Sequence, residues 1–352
     1  MSEPLVSIIM PVYNCASFLG DAIQSMLNQT FGDFELIIID DASTDATVNI
    51  INSYRDQRIT LVKKESNTGL IASLNIGLTA ARGEYIARMD GDDISHPQRL
   101  EKQVSFMEAN THVVLCGSWY QLAGTNQVVE LPVSHEAIKI ALLDYCSFAH
   151  PTVMLRRQFF IDNNLQYDNA FVAAEDYELW TRVIRIGTTA NIPEPLLYYR
   201  RHDNQVTATN QPRQVANSNL CREKMLSYAL DHPSENDLTN CKTVVNNTRV
   251  KKVIELRTIT EWLNAAFARN KQTGFYDEWE FGKYIQQKKA MFVRNYYLHT
   301  SSYSPGVFWE FNKSYSLFRE CFTLKEYLKF LLKCLAFRKH RSGATFSMTA
   351  WL

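Results

Sequence analysis

Glu84-Tyr85-Ile86-Ala87-Arg88-Met89-Asp90-Gly91-Asp92-Asp93 is a short, mostly apolar run that ends in three acids around one glycine. The run reads as a buried strand, and the acids read as the turn that leaves it. Carboxylates this dense repel one another. In an ordered site they need a cation or hydrogen-bond donors. A hard divalent ion such as Mg²⁺ or Mn²⁺ takes one or two carboxylates and completes its shell with phosphate oxygens and water. A solvated acidic turn is the competing reading, and the rest of the chain has to decide between them.

Working back from this strand, the chain alternates strand and helix. Leu5–Met10 and Phe34–Ile39 are continuous apolar runs, the mark of strands covered on both faces, and Ile59–Val62 is a third strand. Between them, Ser17 is placed to cap a helix carrying Leu19, Ala22, Ile23 and Met26 inward. Ser43 or Thr44 is placed to cap the next. A further helix is expected over 69–81, another with Pro97 in its first turn, and a strand over 113–116. This rhythm predicts an α/β fold with a doubly wound, mostly parallel sheet. Such sheets bind ligands at the carboxyl ends of their strands. Three polar clusters fall there: Pro11-Val12-Tyr13-Asn14, Asp40-Asp41-Ala42-Ser43 and Asp90-Gly91-Asp92-Asp93. Neither GxGxxG nor GxxxxGK[ST] occurs, so dinucleotide and P-loop readings lose support.

The 352 residues exceed one ordinary core, and the texture changes near residue 206. Residues 1–205 hold 15 Lys+Arg and 25 Asp+Glu, and residues 206–352 hold 22 and 12. The expected division is therefore 1–205, acidic and α/β, and 206–352, basic and mostly helical. Helices are expected over 249–270 and 277–297. Thr323-Leu324-Lys325-Glu326 is a capping box. The helix it opens, about 324–338, places Leu324, Tyr327, Leu328, Leu331, Leu332 and Leu335 on one face, and Arg338-Lys339-His340-Arg341 follows. With Phe308, Trp309, Phe311, Phe318, Phe322, Phe330 and Phe337 nearby, this reads either as an interfacial membrane helix or as a helix docked on its own domain.

Seven scattered cysteines with no CxxC or Cys/His cluster argue against a zinc site and suggest a reduced compartment. The N-terminus lacks a basic region before its apolar run, and no stretch is long enough to span a bilayer. The expected location is cytoplasmic, with possible peripheral contact at the cytosolic face of the inner membrane. No nucleic-acid partner is expected.

Taken together, Val6 through Asn14, Asp40-Asp41-Ala42-Ser43-Thr44-Asp45, Asp90-Gly91-Asp92-Asp93 and Ala174-Glu175-Asp176-Tyr177-Glu178-Leu179-Trp180 resemble the motifs of the family 2 glycosyltransferases, in the same order. The resemblance covers about residues 5–205. It implies a GT-A fold, a bacterial surface-polysaccharide role and inverting transfer of one hexose from a UDP-sugar, with glucose or galactose favoured. The implied acceptor is a lipid-linked or core oligosaccharide, and the implied cofactor is Mn²⁺ or Mg²⁺.

Position by position, the resemblance gives Asp176 as the general base. Asp92 becomes the direct metal ligand, with Asp90 near the ribose or metal. Asp41 would accept from the uracil N3–H, with Pro11 and Tyr13 beside the base. Asp45, Asn67 and Gly69 would hold the nucleotide end. Arg88 or Arg99 would steady the acids or the diphosphate. His202 would reach the metal or diphosphate from a closing segment, Tyr199–Asp203. His150, Glu175 and Arg201 are weaker candidates on the acceptor or diphosphate side. Leu74-Asn75 stands where many relatives carry Arg-Asn, which leaves an arginine contact to the donor missing or supplied by Arg88. The QxxRW signature of processive synthases is absent, which favours single-sugar transfer. Three other readings compete: N-acetylhexosaminyl transfer on the same fold, a phosphatase or nucleotidyltransferase using the acids, and a non-catalytic nucleotide-sugar binder.

Overall fold

The structure is a computed structural model that describes residues 3–202, 211–298, 303–313 and 321–336. Asp203, Phe318, Phe337 and the basic run 338–341 lie outside the described residues. The chain forms two compact units, Met1–Met225 and Leu226–Leu352. The division falls later than the composition change near 206. The helix Gln211–Ser227 explains the offset, since most of its length belongs to the first unit.

The first unit is built on one nine-stranded sheet. β1 (Val6–Val12) and β2 (Phe34–Asp40) are buried at every position, as strands covered on both faces must be. β1 lies between β2 and β4 (Tyr85–Arg88), and β3 (Ile59–Lys63) flanks β2, all parallel. Helices α1 (Ala16–Leu27), α2 (Thr47–Ser53), α3 (Leu70–Ala80) and α4 (Arg99–Ala109) connect and cover these strands. Leu19, Ala22, Ile23 and Met26 of α1 and Leu100, Val104 and Met107 of α4 pack into one core with the strands.

Beyond β4 the sheet becomes mixed. β8 (Met154–Arg156) runs antiparallel between β4 and β6 (Val113–Leu122). β9 (Thr188–Tyr199) runs parallel to β6, and the two-residue β5 (Ile94–Ser95) pairs antiparallel with β9. The two-residue β7 (Val128–Val129) pairs with β6. The register of β6 and β9 shifts at Ser118/Trp119, where Pro193 and Pro195 interrupt β9's donors. The remaining helices of this unit are α5 (His135–Ala141), α6 (Arg157–Asp162), α7 (Glu175–Ile186) and α8 (Gln211–Ser227).

Some local expectations fail for a physical reason. Ser17 lies inside α1, whose first turn is capped from another loop. Ser43 and Thr44 lie in the turn before α2, and Pro97 precedes the N-cap of α4. A cap carboxylate supplied across the fold cannot be read from local sequence.

The second unit, as described, holds α9 (Glu235–Val245), α10 (Val253–Thr273), α11 (Glu278–Leu298), α12 (Pro305–Lys313) and α13 (Leu324–Leu335). The Thr323–Glu326 capping box forms as expected. The expected apolar face of α13 forms as well: Leu324, Leu328, Leu332 and Leu335 lie along one side of the helix. On the opposite side Phe330 is buried in an aromatic cluster with Phe311, Phe322 and Tyr297, and Cys334 is buried one turn further on. The four leucines are exposed. No helix among the described residues is long and apolar enough to cross a membrane.

Candidate active site

The carboxyl ends of β1 and β2 are knitted by side chains binding backbone. Asn14 adopts a left-handed conformation, φ 48°. Its N–H donates to Ser43 Oγ at 2.9 Å, and its Oδ1 accepts from Thr44 N–H at 2.8 Å. The Asp45 carboxylate accepts from Ala16 N–H at 3.1 Å and Thr47 N–H at 2.9 Å, so it caps α1 and α2 together. Against burial, the Thr47 hydroxyl first and then these amides hold its carboxyl below the usual range. Asp45 is therefore committed to the loops that shape the rim.

Asp41 is buried, and its two oxygens accept from Thr68 N–H and Gly69 N–H, each at 2.9 Å. Lys64 Nζ lies 2.5 Å from Asp41 Oδ1. The carboxylate thus fastens the end of β2 to the turn that opens α3. Gly69 permits that turn at φ 92°, a conformation side chains disfavour. A carboxylate has about four lone-pair positions, so one remains for a further donor. Asn67 is exposed, Pro11 is buried, and Tyr13 is 49% exposed.

The acid turn sits at the end of β4. Asp90, Asp92 and Asp93 each bring a carboxylate oxygen within 4.8 Å of the others. Arg88 pairs with Asp90. His202 Nε2 lies 2.9 Å from Asp92 Oδ2. Asp93 is fully buried. Its Oδ1 accepts from Arg200 N–H at 2.9 Å, while its Oδ2 has no hydrogen-bond partner. Burial and the neighbouring acids push Asp90 up to about 6 and Asp93 well above the carboxylate range. Gly91 leaves no room for a side chain: an added Cβ would lie 2.9 Å from Val12 Cγ1 and 3.2 Å from Cys15 Sγ.

Arg99 is also fully buried, but it faces the backbone. It donates to Arg88 O at 2.7 Å and Gln103 Oε1 at 2.9 Å, and so steadies the strand that carries the acids. It does not pair with the acids.

Asp176 stands in the first turn of α7, after Ala173 at φ 65°. Its Oδ1 accepts from Tyr177 N–H at 2.7 Å, and Cys146 Sγ lies 3.6 Å from its Oδ2. Burial raises its carboxyl, and Arg88 works against that rise. Glu175 beside it is pushed up to about 7, by burial first and then by Asp176. Further along α7, buried Glu178 pairs with Arg182 at 2.7 Å and with Lys224 of α8 at 3.0 Å. Asn217 of α8 donates to Val172 O at 2.9 Å. These contacts hold the loop that presents the Glu175–Asp176 pair.

His150 Nε2 lies 2.9 Å from Tyr167 OH, and the ring stands edge-on to Trp180. Burial and Arg88 hold its imidazole well below its ordinary value, so it is neutral near pH 7. Arg201 is exposed. Arg88 acts on both the acid turn and the α7 pair: it pairs with Asp90 and acts electrostatically on Asp93, His150, Glu175 and Asp176. Sequence reasoning did not single out Tyr167, Cys146 or Phe18, whose ring stacks on the His202 imidazole with centres 4.7 Å apart. Their partners come from distant segments, and no local pattern marks them.

The donor set fits a divalent cation. Clustered carboxylates, one with an unpartnered buried oxygen, lie beside an imidazole, and hard cations favour oxygen ligands. A carboxylate raised by burial and held partly ionised by Arg88 fits a proton acceptor.

Comparison with known proteins is consistent across sequence and structure. The model of "Glycosyl transferase family 2" matches residues 7–170. A Haemophilus influenzae protein named as an uncharacterized glycosyltransferase is 34% identical over 65% of this chain and 75% of its own length. An Escherichia coli protein named UDP-Glc:alpha-D-GlcNAc-diphosphoundecaprenol beta-1,3-glucosyltransferase WfaP is 33% identical over 62% of this chain and 86% of its own. Among solved structures, Staphylococcus aureus TarS 1-349 in complex with UDP-GlcNAc aligns with a TM-score of 0.55 at 16% identity, covering 82% of this chain and 90% of that one. At that identity the likeness is one of fold.

Proposed function

The chain belongs to glycosyltransferase family 2, and we propose that it transfers one hexose, with inversion, from a UDP-sugar to a hydroxyl of a lipid-linked or core oligosaccharide in bacterial surface-polysaccharide assembly. The observation that carries this reading is the Asp90–Asp92–Asp93 cluster, with Arg88 paired to Asp90 and acting electrostatically on the Glu175–Asp176 pair. Glucose is the favoured sugar, because the Escherichia coli relative is named for UDP-Glc. Galactose is the next candidate.

In this reading Asp92, with Asp90 and His202, would hold Mn²⁺ or Mg²⁺. Such an ion supplies Lewis-acid stabilisation of the charge on a departing diphosphate. Asp41, Pro11 and Tyr13 would bind the uracil end, with Asp45, Asn67 and Gly69 shaping the rim around it. Asp176 would take the proton from the acceptor hydroxyl as that oxygen attacks the anomeric carbon. One base and one displacement invert the configuration, so an α-linked UDP-hexose gives a β-linked product. Neutral His150, with Glu175 and Arg201, would line the acceptor or diphosphate side. The exposed leucines of α13 support peripheral contact with the cytosolic face of the inner membrane.

The test is melting temperature against UDP-glucose, UDP-galactose, UDP-GlcNAc and GDP-, dTDP- and CMP-sugars, with Mn²⁺ and with chelator. A ligand that binds only the folded chain raises the melting temperature. A shift with UDP-glucose that chelation abolishes is expected. A larger shift with UDP-GlcNAc would replace the hexose reading by N-acetylhexosaminyl transfer. Product formation in Mn²⁺ that survives in Asp176→Asn would overturn the base assignment.

A further inference from the structure

Phe18 and Asp21 lie three residues apart on α1, within reach of one another's neighbours along the helix surface. The chain leaving β9 after Tyr199 crosses them. Arg200 Nη2 lies 2.5 Å from Asp21 Oδ2, and its guanidinium stands 5.5 Å from the Phe18 ring centre. Arg200 Nη1 is 3.4 Å from both Phe18 O and Asp92 O, and Arg200 N–H donates to Asp93 Oδ1 at 2.9 Å. Two residues on, the His202 imidazole stacks on the same Phe18 ring, centres 4.7 Å apart and planes 24° apart. The edge of that imidazole meets Asp92.

We propose that Phe18 and Asp21 are positioning residues: together they form a seat on α1 that holds Arg200 and His202 so that the His202 Nε2 edge faces the acid cluster. An imidazole needs two constraints to aim one nitrogen, its ring plane and the rotation within that plane. Phe18 sets the plane by stacking, and Asp92 sets the rotation by its hydrogen bond. Arg200 fixes the backbone that carries the ring, because it ties α1 to the acid turn through Asp21, Phe18 O, Asp92 O and Asp93. In this arrangement Asp93 serves the seat through its Oδ1. The seat rests on the reading of His202 as a ligand of the cation that accompanies the donor.

The experiment measures UDP affinity by titration calorimetry in Mn²⁺ and in EDTA, for the full chain, F18L, F18Y, D21N, H202A and the F18L/H202A pair. F18L keeps apolar bulk and loses the stacking plane. It is expected to weaken Mn²⁺-dependent UDP binding by about two- to ten-fold, the worth of a stacked aromatic pair, and to leave binding in EDTA unchanged. F18Y should restore the affinity. D21N, at an exposed carboxylate, should weaken it in the same direction without changing the ligand-free melting temperature. F18L should add nothing in the H202A background, because the seat then has no ligand to aim. Normal Mn²⁺-dependent affinity in F18L, or full additivity with H202A, would overturn the seat while leaving His202 as a ligand. Normal affinity in H202A would overturn the ligand reading, and the seat with it.

Discussion

Asn75 and Tyr167 are joined twice: Asn75 Nδ2 donates to Tyr167 O, and Tyr167 N–H donates to Asn75 Oδ1, both at 2.9 Å. The residues are 92 positions apart. The clasp fixes the Tyr167 backbone, and Tyr167 OH fixes His150. Asn75 thus serves the site through a backbone clasp.

Asn75→Ala should release both bonds and leave part-buried backbone groups unpaired. Each such group costs about 1–3 kcal/mol. At about 2–4 °C per kcal/mol for a unit of this size, the melting temperature should fall by several degrees. Transfer should fall further than stability does, measured well below the melting temperature. Tyr167→Phe should keep the clasp and lose only the His150 bond. Equal kcat/KM in Asn75→Ala and the parent would show that His150 is not held through Tyr167.

The pH dependence follows from the raised carboxyls. Asp176 must be ionised to accept a proton, so activity is lost as pH falls through its folded-state value. Burial raises that value above the ordinary range, and the adjacent Glu175 is pushed to about 7. The two titrate as a pair. The acid limb of kcat/KM should therefore lie above that of an ordinary aspartate. Glu175→Gln should move it to lower pH, because the repulsion between the two anions is gone. Arg88→Gln should move it to higher pH, because Arg88 favours both ionised forms. Asp176→Asn should remove the limb and about 10²–10⁴ of the rate, the usual worth of a positioned base. A limb unmoved by either neighbouring change would place the titrating group elsewhere.

Much of the candidate rim was legible because it lies where strand ends must lie. An apolar run such as Val6–Met10 announces a covered strand, and the polar residues after it fall on the rim. Asp41, Asp90 and Asp92 could be picked as candidates for that reason, whereas Asp176, in the first turn of α7, was a candidate only through the family resemblance. What could not be picked depends on pairing across the fold. β9 carries two prolines and hides its strand character. Asp45 caps a helix that begins 29 residues before it, a partnership no spacing rule contains. Arg99 looked available to the acids and is spent on the Arg88 carbonyl. On α13, helical periodicity put the apolar residues on one face but could not say which side packs inward: Phe330 and Cys334 are buried, and four leucines of that face are outside.

Gly91 tests how tightly the acid turn is seated. An alanine Cβ there would press on Val12 Cγ1 at 2.9 Å, and Val12 is a buried strand residue. Overpacking of this kind costs about 1–3 kcal/mol. Gly91→Ala should lower the melting temperature and also weaken Mn²⁺-dependent UDP binding, since Asp90 and Asp92 flank the displaced residue. Adding Val12→Ala should open space and recover part of the binding. A Gly91→Ala chain with parental affinity would show that the turn tolerates displacement without moving its carboxylates.

The exposed leucines of α13 give the membrane proposal a sharp form. Leu324, Leu328, Leu332 and Leu335 are 75%, 48%, 65% and 60% exposed, and Lys325 and Lys329 are exposed beside them. A leucine moved fully from water to an apolar phase gains about 1.5–3 kcal/mol. The lysines add attraction to an anionic surface that salt screens. Leu328→Gln with Leu332→Gln changes only exposed side chains, so the melting temperature should hold. Sedimentation with vesicles of phosphatidylglycerol and phosphatidylcholine should drop by at least an order of magnitude. Lys325→Gln with Lys329→Gln should reduce binding at low salt and matter little at high salt. Unchanged sedimentation in the leucine pair would remove α13 from the membrane contact, and the charge pair would then read any purely electrostatic attachment.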